Sequence, residues 1–266
     1  MLISFIGAGN VAWHLSRALE DVGHGIAEVY SRNPVNARIL AKQCYDATWQ
    51  DHLNFADSEA ELFILCVADD AIAEVLEQLV LPENAVIVHT SGSKPLSALE
   101  NWATVFSDVP VHTGVFYPLQ TFSKQTYIEF GQIPLCIEAT EPDIEAKLVE
   151  LGQEISQIVY LVTTDERRVL HLAAVFACNF TNHLWALTKD LLDDYNLEFE
   201  LLKPLIQETV SKALASTHPA DVQTGPARRG DTLIIQQQVE LLEDDSNTSK
   251  IYKILTDSIL QRYELL

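Results

Sequence analysis

The chain has 266 residues, 48% of them hydrophobic, enough to bury a core in one large domain or two modest ones and too apolar for a disordered chain. Its 17 Lys and Arg stand against 38 Asp and Glu, a net charge of −21. Such a surface repels nucleic acid and anionic lipid, so neither is an expected partner, and an anionic ligand would need a locally positive pocket.

The first element is an apolar, β-prone run, Leu2-Ile3-Ser4-Phe5-Ile6, that ends in Gly7-Ala8-Gly9-Asn10-Val11-Ala12 and passes directly into a helical pattern. A strand, a Gly-x-Gly-x-x-Ala turn and a helix in that order form a dinucleotide fingerprint. Gly7 allows the tight turn, Gly9 lets a pyrophosphate approach the backbone, and Ala12 stands where helix and strand pack closely. The free N–H groups at Asn10 and Val11 would face the phosphates. Val11, Leu15, Ala18, Leu19 and Val22 then recur at helical spacing, and Gly23 closes the helix.

Residues 25–30 read as the second strand. About twenty residues beyond the glycines, where an acid would bind the ribose hydroxyls of NAD, stands Ser31-Arg32-Asn33. Ser31 can donate a hydrogen bond and Arg32 offers a planar fork suited to a 2′-phosphate, so the expected cofactor is NADP; otherwise Arg32 is a solvated residue after a strand. Pro34 opens a helix through Ala41, and a short third strand is expected near Ala47-Thr48.

Residues 61–67 form an apolar run typical of a strand buried in a parallel sheet. The backbone at Val67 and Ala68 then lies at the carboxyl end of its strand, the cofactor side of open α/β sheets. Asp69 or Asp70 is placed to cap the following helix. The next strand, residues 85–88, ends in His89-Thr90-Ser91-Gly92-Ser93, a loop expected to border the nicotinamide. His89 is there either a proton donor or a core histidine bonded to backbone, and Ser91 either a substrate contact or a turn residue. Residues 109–122 mix aromatic, histidine and amide groups, which suits a pocket wall or an irregular edge. Strands at 133–137 and 158–161 flank a helix over 143–154 and complete the sheet.

From Thr163 onward the pattern is helical, giving an expected division into a Rossmann-type domain, 1–162, and an all-α domain, 163–266. A helix over 167–192 is apolar on nearly every face through Leu170–Phe180, which reads as a buried central element. His171, Asn179 and His183 fall along one of its faces at spacings of eight and four, and a cleft-facing edge there competes with satisfied core polar groups. A metal site using His171 and His183 lacks a carboxylate or cysteine at ligand spacing, so no metal is expected. Helices follow over 198–216, 232–242 and 246–263. Between the first two of these, Arg228 and Arg229 form either an anion site or pairs with surface carboxylates. Cys44, Cys66, Cys136 and Cys178 show no C-x-x-C spacing, and the last three lie in apolar runs where buried, reduced thiols are expected. With no basic leader before the first strand and no apolar stretch of membrane-spanning length, a cytoplasmic location is expected.

Together, Gly7-Ala8-Gly9-Asn10-Val11, residues 67–72, His89-Thr90-Ser91-Gly92, residues 118–122, residues 171–179 and residues 225–231 resemble the pyrroline-5-carboxylate reductase-like and deazaflavin-dependent NADP reductase-like superfamily. The nearer resemblance is to its branch with an α-helical C-terminal domain of unassigned function. It implies a doubly wound, mostly parallel Rossmann-type sheet that binds NADP, followed by an all-α domain that lines the substrate cleft and pairs with a second copy as a homodimer. The related β-hydroxyacid dehydrogenases carry a catalytic lysine one turn from an asparagine on the first long C-terminal helix. Here the lysine of that helix is Lys189, away from Asn179, which argues against a lysine acid/base. The expected activity is hydride transfer between NADP(H) and a small carbonyl, imine or deazaflavin-like acceptor, with His89, Ser91, His171 and Asn179 as catalytic candidates and Arg228 and Arg229 as anion contacts. The other expectation is an NADP-binding sensor or scaffold without turnover.

Overall fold

A computed structural model describes residues 1–242 and 246–265. In chain order the first part contains β1 (Leu2–Ile6), α1 (Asn10–Asp21), β2 (Gly25–Tyr30), α2 (Pro34–Gln43), β3 (Thr48–Gln50), β4 (Leu62–Leu65), α3 (Ile72–Gln78), β5 (Val86–His89), α4 (Ser97–Val105), β6 (His112–Pro118), β7 (Leu135–Ala139), α5 (Pro142–Ile155) and β8 (Val159–Leu161). The helical part contains α6 (Thr164–Ala174), α7 (Thr181–Asp194), α8 (Lys203–Ala215), α9 (Pro226–Arg229), α10 (Thr232–Leu241) and α11 (Asn247–Arg262). The expected class, a Rossmann-type doubly wound sheet followed by helices, is the architecture observed.

The sheet has eight strands in the order β3-β2-β1-β4-β5-β6-β7-β8. All neighbours run parallel except β6 and β7, which pair antiparallel from Gly114–Ala139 to Pro118–Leu135. The order reverses direction at β1 and β4, the topological switch point where open α/β sheets bind ligands. Along β4, Leu62 and Ile64 join one core with Leu15 and Leu19 of α1 and Leu148 of α5. Phe63 and Leu65 join another, with Leu76 of α3 and Trp102 of α4. Strict alternation of this kind buries both faces of the sheet and explains why β4 reads as a continuous apolar run.

Several elements differ from the sequence reading. β6 is an interior strand between β5 and β7 rather than an irregular edge. The long helix expected over 167–192 starts at Thr164, behind a capping box in which Thr163 and Glu166 satisfy each other's backbone N–H groups. It is interrupted by a π-helical segment over Val175–Phe180. An i→i+5 turn breaks the 3.6-residue phase, so the even spacing that aligned His171, Asn179 and His183 does not hold through it. Nor is this stretch buried: Val169, Leu172, Phe176 and Phe180 are exposed. Cys66 and Cys136 are buried free thiols as expected and Cys44 is buried as well, whereas Cys178, also expected inside, is exposed.

The chain divides into two compact units, Met1–Cys178 and a second that begins at Asn179. In the second, the tip of the sequence Gly225–Asp231 is a short helix ended by Gly230 in the left-handed region (φ 68°), and Asp231 caps α10 by accepting from the Ile234 N–H. Among the described residues, no helix is long and apolar enough to cross a membrane.

Candidate functional site

The glycine turn is built by close approach. Gly7 has φ 114°, and a Cβ there would stand 2.3 Å from the Cys66 carbonyl oxygen at the end of β4. No residue with a side chain fits that position. At Gly9 a Cβ would meet only the same oxygen, at 3.9 Å, so the backbone above the turn faces open space. Gly9 offers α1 no side-chain cap, and the first turn of α1 carries no acid. The positive end of the helix is therefore left for an anion.

That open space is a cavity of about 430 Å³ at the carboxyl ends of β1, β2 and β4. Gly7, Ala8, Gly9, Ser31, Arg32, Val67 and Ala68 line it together, with Tyr30 and Asn33 beside Arg32 and Glu74 as the acid among the lining residues. These residues come from three strand ends distant in sequence, and they fit a dinucleotide: a turn without side chains for the pyrophosphate and a guanidinium at the ribose end. Asn10 is not part of the lining; its amide donates to the Phe122 carbonyl at 2.9 Å, and Val11 packs against the core behind the turn. Arg38 stacks on Trp49, its guanidinium carbon 4.1 Å from the ring centre.

Neither aspartate after β4 caps a helix through its side chain. Asp69 instead accepts a hydrogen bond from the Ser93 hydroxyl, tying the ends of β4 and β5 together. His89 is fully buried. Its Nδ1 accepts from the Ser91 N–H at 3.2 Å, and its Nε2 lies 3.4 Å from the Pro95 carbonyl, which fixes the neutral tautomer with the proton on Nε2. Burial, assisted by the nearby Arg167 charge, lowers its pKa to about 4. Ser91 spends its hydroxyl oxygen on the N–H groups of Ser93 and Lys94. Both residues thus shape the loop after β5 through backbone bonds.

The loop is locked from the other side by Arg167. This side chain is fully buried, donates from Nε to the Ser91 carbonyl at 3.2 Å and from Nη2 to the Lys94 carbonyl at 2.5 Å, and pairs through Nη1 with Glu138. Glu138 also accepts from the N–H and hydroxyl of Thr164, so the ion pair has further hydrogen bonds around it. Gly92 gives the loop a further close contact with α6: a Cβ there would lie 2.6 Å from His171 Nδ1 and 2.8 Å from Tyr117 Cζ. The Tyr117 hydroxyl stands 3.1 Å from His171 Nδ1, and burial pushes the phenol up to about 12.

The structure therefore brings Gly92, Tyr117 and His171 into contact, next to Ser91 in the loop that His89 holds. Asn179 is exposed and belongs to the second unit. In that unit Arg228 lies 4.0 Å over the Tyr263 ring, and Arg229 is exposed, 3.9 Å from Asp231. No group of three or more metal-ligating side chains occurs among the described residues. Arg167 and Tyr117 were not singled out by the sequence. An arginine opening a helix signals solvent rather than burial, and its partners lie 29 to 76 positions away.

Residues 2–92 match a family model described as NADP oxidoreductase, coenzyme F420-dependent, and residues 133–259 match a domain of unknown function, DUF2520. No curated protein sequence matches the chain. A crystal structure from Bacteroides fragilis, provisionally described as an NADP oxidoreductase, is 41% identical over 98% of both chains, with a TM-score of 0.88. A 1-pyrroline-5-carboxylate reductase from Streptococcus pyogenes shares the fold at 14% identity over 98% of both chains (TM-score 0.64). A reductive aminase from Aspergillus terreus, solved with NADPH and ethyl levulinate, shares it at 13% identity over 97% of this chain and 92% of its own (TM-score 0.71). The chain belongs to the NADP oxidoreductase family in which a domain of the coenzyme F420-dependent type is followed by the DUF2520 domain.

Proposed function

We propose that the protein is an NADP(H)-dependent oxidoreductase that reduces a small carbonyl, imine or deazaflavin-like acceptor or runs the reverse reaction. The observation that carries this is the single cavity in which the glycine turn, Ser31-Arg32 and Val67-Ala68 meet at the switch point of the sheet. The nicotinamide supplies the hydride when bound. The chain's own part is positioning and charge: N–H groups of α1 for the pyrophosphate, Arg32 and Ser31 for a 2′-phosphate, and Ala68 with the loop after β5 for the nicotinamide end. Because β5 follows β4 in the sheet, with Leu65 opposite His89, that loop continues the cavity's line of strand ends.

The hydrogen bond to the acceptor falls to Tyr117 and His171. With the phenol donating to Nδ1, His171 keeps its proton on Nε2 and can donate a hydrogen bond from it to the acceptor atom as hydride arrives, the proton that completes the reduction coming from solvent. His89, with both nitrogens engaged by backbone, serves as a positioning residue for Ser91 and Gly92. Calorimetric titration with NADPH and NADH tests the cofactor assignment. The parent should prefer NADPH, and Arg32→Asp should lose that preference by about tenfold or more, the loss of one charge-assisted phosphate contact. Equal affinities in the parent would overturn it. A non-catalytic NADP sensor is the second reading, favoured by Lys189 being tied to Asp193 in an exposed pair rather than standing near Asn179.

The same proposal includes a homodimer formed through the helical part. On α8, Leu205 and Leu214 are nine residues apart, half a turn around the helix, and are 62% and 82% exposed. A helix with apolar side chains open on opposite sides is suited to insertion between elements of a second copy.

A further inference from the structure

We propose that Lys124 supplies the counter-charge for the cofactor pyrophosphate, carried there by a strap that crosses the glycine turn. The inference rests on reading the cavity as a dinucleotide site.

After β6 the chain runs back over the start of α1 and is fastened at three points. The Asn10 amide donates to the Phe122 carbonyl at 2.9 Å, His14 donates through Nε2 to the Ser123 carbonyl at 2.9 Å, and the Lys124 ammonium donates to the Ala8 carbonyl at 3.0 Å. The His14 and Phe122 rings stack loosely, with centroids 5.5 Å apart. Ala8 lines the cavity and directly precedes Gly9, so the ammonium already touches the backbone of the turn on which the phosphates would sit.

The charge on Lys124 is not neutralised. Among the described residues it has no carboxylate within 4.0 Å. Its partners are a carbonyl dipole and the face of Trp13, with Nζ 5.1 Å from the ring centre. On a chain with 38 acids and 17 bases, a lysine resting on a neutral acceptor holds its charge in reserve. Lys124 lines a hollow of about 250 Å³ along α1 with Trp13, Arg17, Asp21 and Tyr127, and reaches the cavity side through its bond to Ala8. A flexible four-carbon stem lets the ammonium exchange the Ala8 oxygen for a phosphate oxygen nearby. Hydrogen bonds to a charged acceptor are roughly twice as strong as those to a neutral one, so the exchange is downhill. Asn10 and His14 would keep the strap in place meanwhile. The first turn of α1, where the phosphates would sit, contributes no acid to oppose them.

The test is calorimetric titration of the parent, Lys124→Met and Lys124→Arg with two probes: NADPH, and 2′-phospho-ADP-ribose, which keeps the pyrophosphate and lacks the nicotinamide. Lys124→Met should weaken both probes by about tenfold, equivalent to roughly 1.4 kcal/mol, and raised salt should narrow the gap. Lys124→Arg should restore most of the affinity. The ligand-free melting temperature of Lys124→Met should stay near that of the parent, which separates a lost charge from a lost strap. Parent-like binding by Lys124→Met overturns the assignment, as does a loss confined to NADPH, which would place the lysine at the nicotinamide instead. If the parent binds neither probe, the cofactor reading itself falls, a different result from a variant that binds as the parent does.

Discussion

In the unit from Met1 to Cys178, helices cover both faces of the sheet, and even the interior polar groups Ser4, His89 and Arg167 have partners. In the unit from Asn179 onward, only Ala227, Ser249, Thr256 and Leu260 are buried among the described residues, while Leu201, Leu205, Leu214 and Leu233 stand exposed. Both parts are rich in apolar side chains. The difference is that the sheet of the first closes its layers with its own elements, whereas the second, like α6 and the π-helical turn just before it, presents apolar side chains that its own helices leave uncovered. Composition sets how much surface must leave water, at about 25 cal/mol per Å², but not which chain provides the cover.

The largest effect that would break this contrast is expected at Arg167. Arg167→Met strands the Glu138 carboxylate and the carbonyls of Ser91 and Lys94, and should cost about 3–5 kcal/mol in urea unfolding. A loss below 1 kcal/mol would mean that the first unit does not depend on its buried polar contacts. Next comes acid. His89 has a folded-state pKa near 4 against an ordinary 6.5, so the unfolded chain takes up the proton first. Its contribution is present above pH 6.5, falls as pH drops through 6.5, and is gone by about pH 4, a loss on the order of 3 kcal/mol. His89→Asn should flatten the stability curve in that window; an unchanged slope would contradict the buried neutral ring. The smallest effect on a lone chain is expected from Leu205→Asp with Leu214→Asp, within about 0.5 kcal/mol per site. Sedimentation should nevertheless show the proposed dimer falling to single chains, and an unchanged mass would leave the exposed leucines without a partner of their own kind.

The fold was legible because its signals are local. Alternation within β4, the turn after β1 and the helical repeat of α1 each lie in a window of about a dozen residues. The residues that meet in one cavity were legible as neighbours for the same reason, since Gly7, Arg32 and Ala68 each fall within the first three residues after a strand. The polar machinery beside it was not. Arg167, Tyr117 and Lys124 take their roles from partners brought near only by folding, and nothing in their neighbours announces it. The helix after Thr163 was misread twice, because apolar composition was equated with burial and a constant 3.6-residue period was carried through a π-helical turn.

The antiparallel pairing of β6 and β7 has one more effect. In a wholly parallel sheet each connection must cross to the opposite end, and its length is set by the helix it carries. Here Pro118 pairs with Leu135, so residues 119–134 leave and return at the same end of the sheet, the end that carries the glycine turn. Such a loop answers mainly to closure entropy, which grows by only about 0.6 kcal/mol per doubling of length. Outside its three fastenings at Phe122, Ser123 and Lys124, the loop can therefore be lengthened or shortened while the sheet beneath it stays in register.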